Sequence, residues 1–256
     1  MSQEKNEMTF WEHLDVLRGS IIRMVLAAVG AAIVAFAFKE ELFAVVLAPK
    51  QNDFFLWQWL GAEPFELPLI NTELTEQFMI HLKMSLVVGI LVASPYIIYL
   101  LFRFIAPALY EKERRASVSV TTSAYAMFLV GVILNYLLVF PLTVRFLGTY
   151  QVSEEVANLL TLSSYIDTLL MMSLLFGIVF EIPIVCWLLA RFGLLKAPWM
   201  TRYRRHAVVA ILIISAIITP TGDIFTLSIV ALPIWLLYEG SILIVRKTAK
   251  KTENTK

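Results

Sequence analysis

Long apolar segments alternate with short polar ones along most of the chain. A helix that crosses a bilayer needs about 20 predominantly apolar residues, and segments approaching that length recur through the chain. The predicted spans lie at about residues 20–38, 84–102, 118–139, 166–189, 207–218 and 224–243. The pattern therefore predicts an all-α integral membrane protein in which six transmembrane helices form a single domain, residues 1–245.

The last two spans are predicted to be short. The apolar runs Ala207–Ile218 and Ile224–Tyr238 contain 12 and 15 residues. At 1.5 Å per residue they reach about 18 and 22 Å, less than the hydrocarbon thickness of about 30 Å. Either this hairpin stops short of the far face or the bilayer thins beside it.

Prolines lie inside the second and fourth predicted spans and just after the third. Pro95 lies inside the second span, where a missing amide hydrogen is expected to kink the helix. Pro141 is expected to close the third span, so that residues 142–160 form a loop. In the fourth span Glu181 precedes Pro183 by two positions. An acid near the middle of a span costs about 2.5–3.5 kcal/mol to insert, which makes Glu181 a candidate functional residue.

The N-terminal segment has an amphipathic pattern before the first span begins. Its apolar positions recur at helical spacing, while acidic and basic residues mark another face. The apolar face contains Phe10, Leu14, Leu17 and Ile21, and the polar face contains Glu12, Asp15 and Arg18. The pattern predicts a helix that lies in the membrane interface and turns into the first span.

The basic residues are distributed unevenly between the two sides of the predicted topology. The N-terminus, the 103–117 and 190–205 loops and the basic tail at 246–256, together with Arg23 at the edge of the first span, contain 17 of the 21 lysines and arginines. Cytoplasmic loops carry the excess of positive charge in membrane proteins. The distribution therefore predicts that both termini lie in the cytoplasm.

Composition supports a membrane protein and excludes several other classes. The chain is 59% hydrophobic and only 16% charged, with a mean hydropathy of +0.76, whereas soluble domains carry about 25% charged residues. The single cysteine, Cys186, excludes an intramolecular disulfide. The three histidines show no metal-ligand spacing. We therefore expect no metal, no cofactor and no nucleic acid partner.

Two functional classes that are common among multispanning membrane proteins are disfavoured by the sequence. An intramembrane protease is disfavoured because Gly222-Asp223 has no matching aspartate at the same depth in a second span, and neither His-Glu-x-x-His nor a Gly-x-Ser nucleophile occurs. A secondary transporter is disfavoured because such proteins tend to show inverted repeats, and the sequence shows no internal repeat. The chain is therefore expected not to be an enzyme.

Several motifs occur in a fixed order along the chain. They are His13-Leu14 with Leu17-Arg18, Ala48-Pro49, Thr75-Glu76 through Lys83, Phe104-Ile105-Ala106-Pro107-x-Leu109-Tyr110-x-x-Glu113-Arg114, Phe176-Gly177 with Phe180-Glu181-x-Pro183, Thr219-Pro220 with Asp223, Leu232-Pro233, and Tyr238-Glu239. Together they cover about residues 9–240 and resemble TatC, the multispanning subunit of the twin-arginine protein translocase. The motif of the 103–117 loop is the most specific of them.

The resemblance implies a function in Sec-independent export of folded proteins. It implies a receptor for signal peptides with two consecutive arginines, which bind on the cytoplasmic face at the N-terminal region and the first loop. It further implies assembly with small single-span subunits of the TatA and TatB type into a multimeric complex. Transport in this family uses the proton-motive force.

Arginine pairs in a ligand call for carboxylates, because a guanidinium group forms two parallel charge-assisted hydrogen bonds with one carboxylate. The first candidate is Glu113, which could otherwise be a surface acid offset by Arg114 and Arg115. The resemblance extends the predicted signal-peptide site to the N-terminal helix and the rest of the loop motif. Its predicted members are Glu113, Asp15, Glu12, Arg18, Phe104, Pro107, Leu109 and Tyr110.

The N-terminal motif departs from the family at one position. The family glutamate falls at Val16, and Asp15 lies one position earlier, about 100° around a helix. Either Asp15 or Glu12 substitutes for it, or Glu113 carries the pairing alone.

A second set of residues is predicted to form a groove for partners. Its members are Glu181, Pro49, Lys83, Asp223 and Glu239. Glu181 either meets a polar group of a partner or pairs with a Ser, Thr or Asn of the third helix. Lys83 is either an interfacial anchor or a partner for Glu76. Asp223 is expected to cap the sixth helix, and Glu239 is interpreted as a buried cap near the end of the last helix.

Overall fold

The computed structural model describes residues 10–65, 67–105, 116–151, 153, 158–219 and 222–253. These residues form a predominantly helical protein with one short parallel strand pair. The helices are α1 (Phe10–Phe36), α2 (Lys39–Leu47), α3 (Phe55–Leu60), α4 (Glu76–Ile105), α5 (Ala116–Leu134), α6 (Phe140–Thr149), α7 (Leu162–Val179), α8 (Ile182–Arg191), α9 (Ala197–Arg202), α10 (Arg204–Ile218) and α11 (Ile224–Glu253). A 3₁₀ turn (Ala48–Lys50) follows α2, and a π-helical turn (Asn135–Val139) joins α5 to α6.

The chain folds as two compact units. The first takes in the chain up to Phe38 together with Ser85–Tyr125, and the second takes in Lys39–Met84 and the chain from Ala126 onward. In the first unit α1 packs closely on α4 at Gly89. A methyl group at that position would lie 2.6 Å from the carbonyl oxygen of Ala28 and from the amide of Ala32. The glycine is therefore required by the close approach of the two helices.

The predicted interfacial helix and the first span are one continuous helix, α1. The predicted turn between them is absent, because no proline interrupts the segment and the polar residues of the first turns do not break the hydrogen-bond pattern. The Ser20 hydroxyl donates to the Val16 carbonyl at 2.8 Å within this helix.

The second span continues through its internal proline. Pro95 lies inside α4, and its missing amide leaves the Leu91 carbonyl without its usual donor. The Ser94 hydroxyl donates to that carbonyl at 2.7 Å. This bond satisfies the group that the proline freed.

The third span is longer than predicted. Helix continues past Pro141 to Thr149, so the prediction that Pro141 ends the span and that residues 142–160 form a loop is wrong for this stretch. The π turn immediately before Pro141 widens the helix, which accommodates the proline ring and its missing donor.

The fourth span is broken near its middle. Helix α7 ends at Val179 and α8 begins at Ile182, with Pro183 in the first turn of α8. Pro183 cannot donate to the Val179 carbonyl, so the backbone turns at Phe180 and Glu181 instead. These two residues therefore lie at the junction of the two half-helices.

The third and fourth spans pack tightly through glycines in the second unit. A methyl group at Gly131 would lie 2.6 Å from the Phe176 carbonyl oxygen, and one at Gly177 would lie 2.5 Å from the Phe128 ring. The Asn135 amide donates to the Ser173 hydroxyl at 3.0 Å across the same interface. Small residues and a buried polar pair are typical of helix contacts in membranes.

Among the described residues, five helical segments are long and apolar enough to cross a membrane. They are Leu14–Phe36, Glu76–Phe104, Val120–Thr149, Leu162–Arg191 and Ile224–Thr248. The predicted span 207–218 lies in α10, whose 15 residues reach about 22 Å. The prediction of a short span is therefore confirmed for 207–218 and wrong for the span that begins at Ile224. Helix α11 has 30 residues and continues to Glu253, past the start of the basic tail at Arg246.

A connecting region between α2 and α4 packs against the end of the third span and the start of the fourth. Its strand Leu69–Ile70 pairs in parallel with Leu160–Thr161. Glu76, at the start of α4, accepts hydrogen bonds from the amides of Thr72 (2.8 Å), Glu73 (3.2 Å) and Ser163 (2.9 Å). One buried carboxylate thus joins the loop before α4 to the first turn of α7.

Candidate functional site

The N-terminal part of the predicted signal-peptide site lies on α1. Asp15 and Arg18 are exposed on this helix, and Glu12 belongs to its first turn. Val16, where the family has its glutamate, is also exposed. Asp15 and Val16 are therefore both exposed at adjacent positions of α1.

The loop part of this site lies largely outside the described residues. Glu113, Pro107, Leu109 and Tyr110 fall in the segment 106–115, which the structure does not describe. Phe104 is half-buried in the last turn of α4. The proximity of Glu113 to Asp15 or Glu12 therefore stays a prediction.

Glu181 lies at the break between α7 and α8. It occupies the N-cap position of α8 without making a side-chain cap. Its Oε1 atom is buried and has no hydrogen-bond partner among the described residues. The sequence allowed Glu181 to pair with a polar residue of the third helix. The Asn135 amide of that helix donates to Ser173 instead, so it does not satisfy the Oε1 atom of Glu181. A buried acceptor without a donor is costly, so this oxygen is suited to a donor from outside the chain.

Pro49 is buried at the end of α2, where aromatic side chains satisfy the free carbonyls. The Tyr136 hydroxyl donates to the Val45 carbonyl at 2.7 Å, and the Tyr165 hydroxyl to the Val46 carbonyl at 3.0 Å. The Trp57 indole donates to the Pro49 carbonyl at 3.1 Å. The last carbonyls of a helix lack intrahelical donors, and here the third and fourth spans supply them.

Sequence reasoning missed Tyr136 and Tyr165. The available signal was a phenol within an apolar span, since a buried tyrosine hydroxyl usually finds a hydrogen-bond partner. Their acceptors lie 91 and 119 residues away along the chain, so the sequence could not identify them.

Lys83 forms an ion pair with Asp167. Its Nζ lies 2.9 Å from both carboxylate oxygens, and both side chains are nearly half exposed. The alternative pairing of Lys83 with Glu76 is wrong, because Glu76 is occupied by three backbone amides. The ion pair connects α4 to α7 within the second unit.

The last two predicted groove residues, Asp223 and Glu239, stabilise the C-terminal helices α10 and α11. Asp223 accepts from the Thr226 amide at 2.7 Å and caps α11, which confirms the predicted cap. Glu239 lies in the middle of α11 and pairs with Arg204 at 2.6 Å, so its interpretation as an end cap is wrong. The Tyr238 hydroxyl donates to the Met200 carbonyl at 2.8 Å beside this pair. Arg204 was missed because its partner is 35 residues away.

The described polar side chains serve mainly to hold helices together. The described residues contain no group of three or more His, Cys, Asp or Glu that could hold a metal ion. The ion pairs Lys83–Asp167 and Arg204–Glu239 each join two helices, and the buried Oε1 of Glu181 lies at a helix break. This arrangement defines a multi-pass helical membrane protein in which candidate recognition groups lie at the ends and breaks of the spans.

Comparisons with known proteins identify the family. The family model described as Sec-independent protein translocase protein (TatC) matches residues 12–233. The chain is 33% identical to TatC of Blattabacterium sp. subsp. Periplaneta americana over 98% of this chain and 100% of the relative, and 36% identical to TatC of Koribacter versatilis over 94% and 87%. A crystal structure described as the twin-arginine translocase receptor TatC superposes with a TM-score of 0.78 at 33% identity, over 93% of this chain and 100% of that one.

The chain belongs to the TatC family. It is therefore a multi-pass membrane component of a Sec-independent protein translocase, and not an enzyme. The predicted family and the all-α membrane fold are confirmed.

Proposed function

We propose that this chain is the receptor for twin-arginine signal peptides and the core of a complex that exports folded proteins across the cytoplasmic membrane. The observation that carries the proposal is the match to the twin-arginine translocase receptor over 93% of the chain. In this scheme the proton-motive force drives export, without nucleotide.

The chemistry of recognition is the pairing of guanidinium groups with carboxylates. Glu113 takes one arginine through two parallel hydrogen bonds, and Asp15 or Glu12 takes the second. Lysine presents a single ammonium group and cannot form the same planar pair, which explains a preference for arginine. The exposure of the Asp15 carboxylate on α1 supports this arrangement. Phe104, Pro107, Leu109 and Tyr110 line the same site.

The proposed topology has six spans and both termini in the cytoplasm. The fifth of these spans is α10, which is too short to cross an unperturbed bilayer alone. The distribution of lysine and arginine supports this orientation, since 17 of 21 fall on one side. Glu113 and Asp15 then face the compartment in which the signal peptide is made.

Small single-span subunits of the TatA and TatB type are the proposed partners in the membrane. The unpaired Oε1 of Glu181 supports a polar contact with such a span or with an inserted signal peptide. Pro49, Lys83, Asp223 and Glu239 shape the helices around this groove through the contacts described above.

An export assay tests the proposal in cells that lack their own TatC. Two reporters differ only in having Arg-Arg or Lys-Lys in the signal peptide, and the small subunits are supplied from the same organism as this chain. We expect export of the Arg-Arg reporter only, and loss of that export in the Glu113→Gln variant at an unchanged level of inserted protein. Equal export of both reporters would overturn the proposal.

A further inference from the structure

Helix α3 has one aromatic side chain that is buried and two that are exposed. Within α3 the Trp57 side chain is only 3% exposed, whereas Phe55 is 64% and Trp59 is 72% exposed. Leu60 is half exposed beside them. Phe55 and Trp59 are four positions apart and share one helix face. The function proposed above does not use this exposed face.

The buried side of α3 fixes its position along the third span. The Phe54 ring lies 5.8 Å from the ring of Tyr136 in an edge-to-face contact. The Arg145 guanidinium lies 5.0 Å from the centroids of both Trp57 and Phe65, and it donates to the Glu63 carbonyl at 3.2 Å. The segment therefore lies alongside the span between the levels of Tyr136 and Arg145.

These two levels can be placed relative to a bilayer. The third span, Val120–Thr149, has 30 residues and is about 45 Å long, so it extends about 7 Å beyond each edge of a hydrocarbon core of about 30 Å when centred. Arg145 lies about 6 Å from the Thr149 end, at the edge of the core, and Tyr136 lies about 20 Å from it, inside the core. The exposed face of α3 thus lies at the depth of the acyl chains and their boundary with the headgroups.

The chemistry of α3 suits that depth. The helix has no charged residue, and its one amide side chain, Gln58, donates to the Asp53 carbonyl at 3.0 Å. Tryptophan is enriched where a membrane meets water. Three exposed side chains cannot supply the roughly 800 Å² per partner that a stable protein interface buries, whereas insertion into lipid has no such requirement.

We propose that Phe55, Trp59 and Leu60 insert into the lipid leaflet at this end of the spans and hold the connecting region against the membrane. Arg145 is the positioning residue for this contact, because it packs on Trp57 and Phe65 at the rim of the span.

Spin labels report the depth of a side chain in the bilayer. Site-specific labelling is simple here because the chain has a single cysteine, Cys186, to replace. In a Cys186→Ala background of the full chain in phospholipid vesicles, nitroxides are attached at Phe55→Cys and Leu60→Cys. The matched control is Glu63→Cys, at an exposed charged position three residues after α3. We expect oxygen to relax the labels at 55 and 60 more than a water-soluble nickel chelate does, and the reverse order at 63.

Three results would overturn the proposal. Stronger relaxation by the nickel chelate at 55 and 60 would show that the face is in water. Protection from both reagents would show that protein covers it. Dipolar broadening between labelled molecules would identify that cover as a second copy of this chain.

Native fluorescence provides a second measurement that needs one conservative change. In vesicles of brominated phospholipid, Trp59→Phe is expected to remove part of the lipid-dependent quenching of the wild-type protein, and Trp57→Phe is expected to leave it in place. Lipid-dependent quenching that Trp59→Phe does not reduce would contradict insertion, even if the cysteine variants did not fold.

Discussion

Removing the hydroxyl of Tyr165 tests the capping of α2 without disturbing the packing of the ring. The Tyr165 side chain is 3% exposed, and its hydroxyl is the donor to the Val46 carbonyl at 3.0 Å. In Tyr165→Phe the ring keeps its edge-to-face contact with Phe140 at 5.1 Å, but a buried carbonyl loses its donor. An unsatisfied buried group costs about 1–3 kcal/mol, so we expect the free energy of unfolding to fall by that amount.

Tyr136→Phe is the matched control for this change. Its hydroxyl donates to the neighbouring Val45 carbonyl at 2.7 Å but is less buried, so water can replace it and the expected cost is about 0.5–1.5 kcal/mol. The measurement is equilibrium unfolding of the full chain in mixed micelles by increasing SDS. Equal stability of Tyr165→Phe and wild type would refute the reasoning, as would a larger loss in Tyr136→Phe.

Three further predictions concern packing and charge. Gly131→Ala places a methyl 2.6 Å from the Phe176 carbonyl oxygen and should lower the free energy of unfolding by about 1–3 kcal/mol; unchanged SDS unfolding would contradict this packing. Lys83→Met should cost at most about 1 kcal/mol, because the pair with Asp167 is nearly half exposed; a double-mutant cycle with Asp167→Asn measures the coupling, and a much larger value would contradict the expectation. A photo-crosslinker at Glu181 should capture a small single-span subunit, and capture of only this chain's own helices would support an internal role.

The positions of the spans could be predicted because lipid imposes a simple requirement on the sequence. A helix in hydrocarbon must be apolar along about 30 Å, and five of the six predicted apolar runs largely coincide with the described spans. The end of the third span could not be predicted in this way. Arg145 interrupts its apolar pattern, and only the structure shows that Trp57 and Phe65 cover the guanidinium.

Some features of the candidate site could also be predicted from the sequence, and others could not. The motif around Glu113 and the position of Glu181 could be read from short stretches of sequence, and Asp223 caps the helix that follows it. The pairs Lys83–Asp167, Arg204–Glu239 and Tyr165–Val46 join residues 84, 35 and 119 positions apart. Such pairings depend on how helices pack, which spacing along one helix does not reveal.

Binding of a signal peptide to the purified chain tests the central claim most directly. In detergent, the dissociation constants of an Arg-Arg peptide and its Lys-Lys counterpart are measured for wild type and for Glu113→Gln. Loss of a charge-assisted pair worth about 1.5–3 kcal/mol should weaken binding of the Arg-Arg peptide to the variant by about 10- to 150-fold. We expect the Lys-Lys peptide to bind wild type weakly and the variant no worse. Equal affinity of wild type for the two peptides would contradict recognition of paired arginines by these carboxylates.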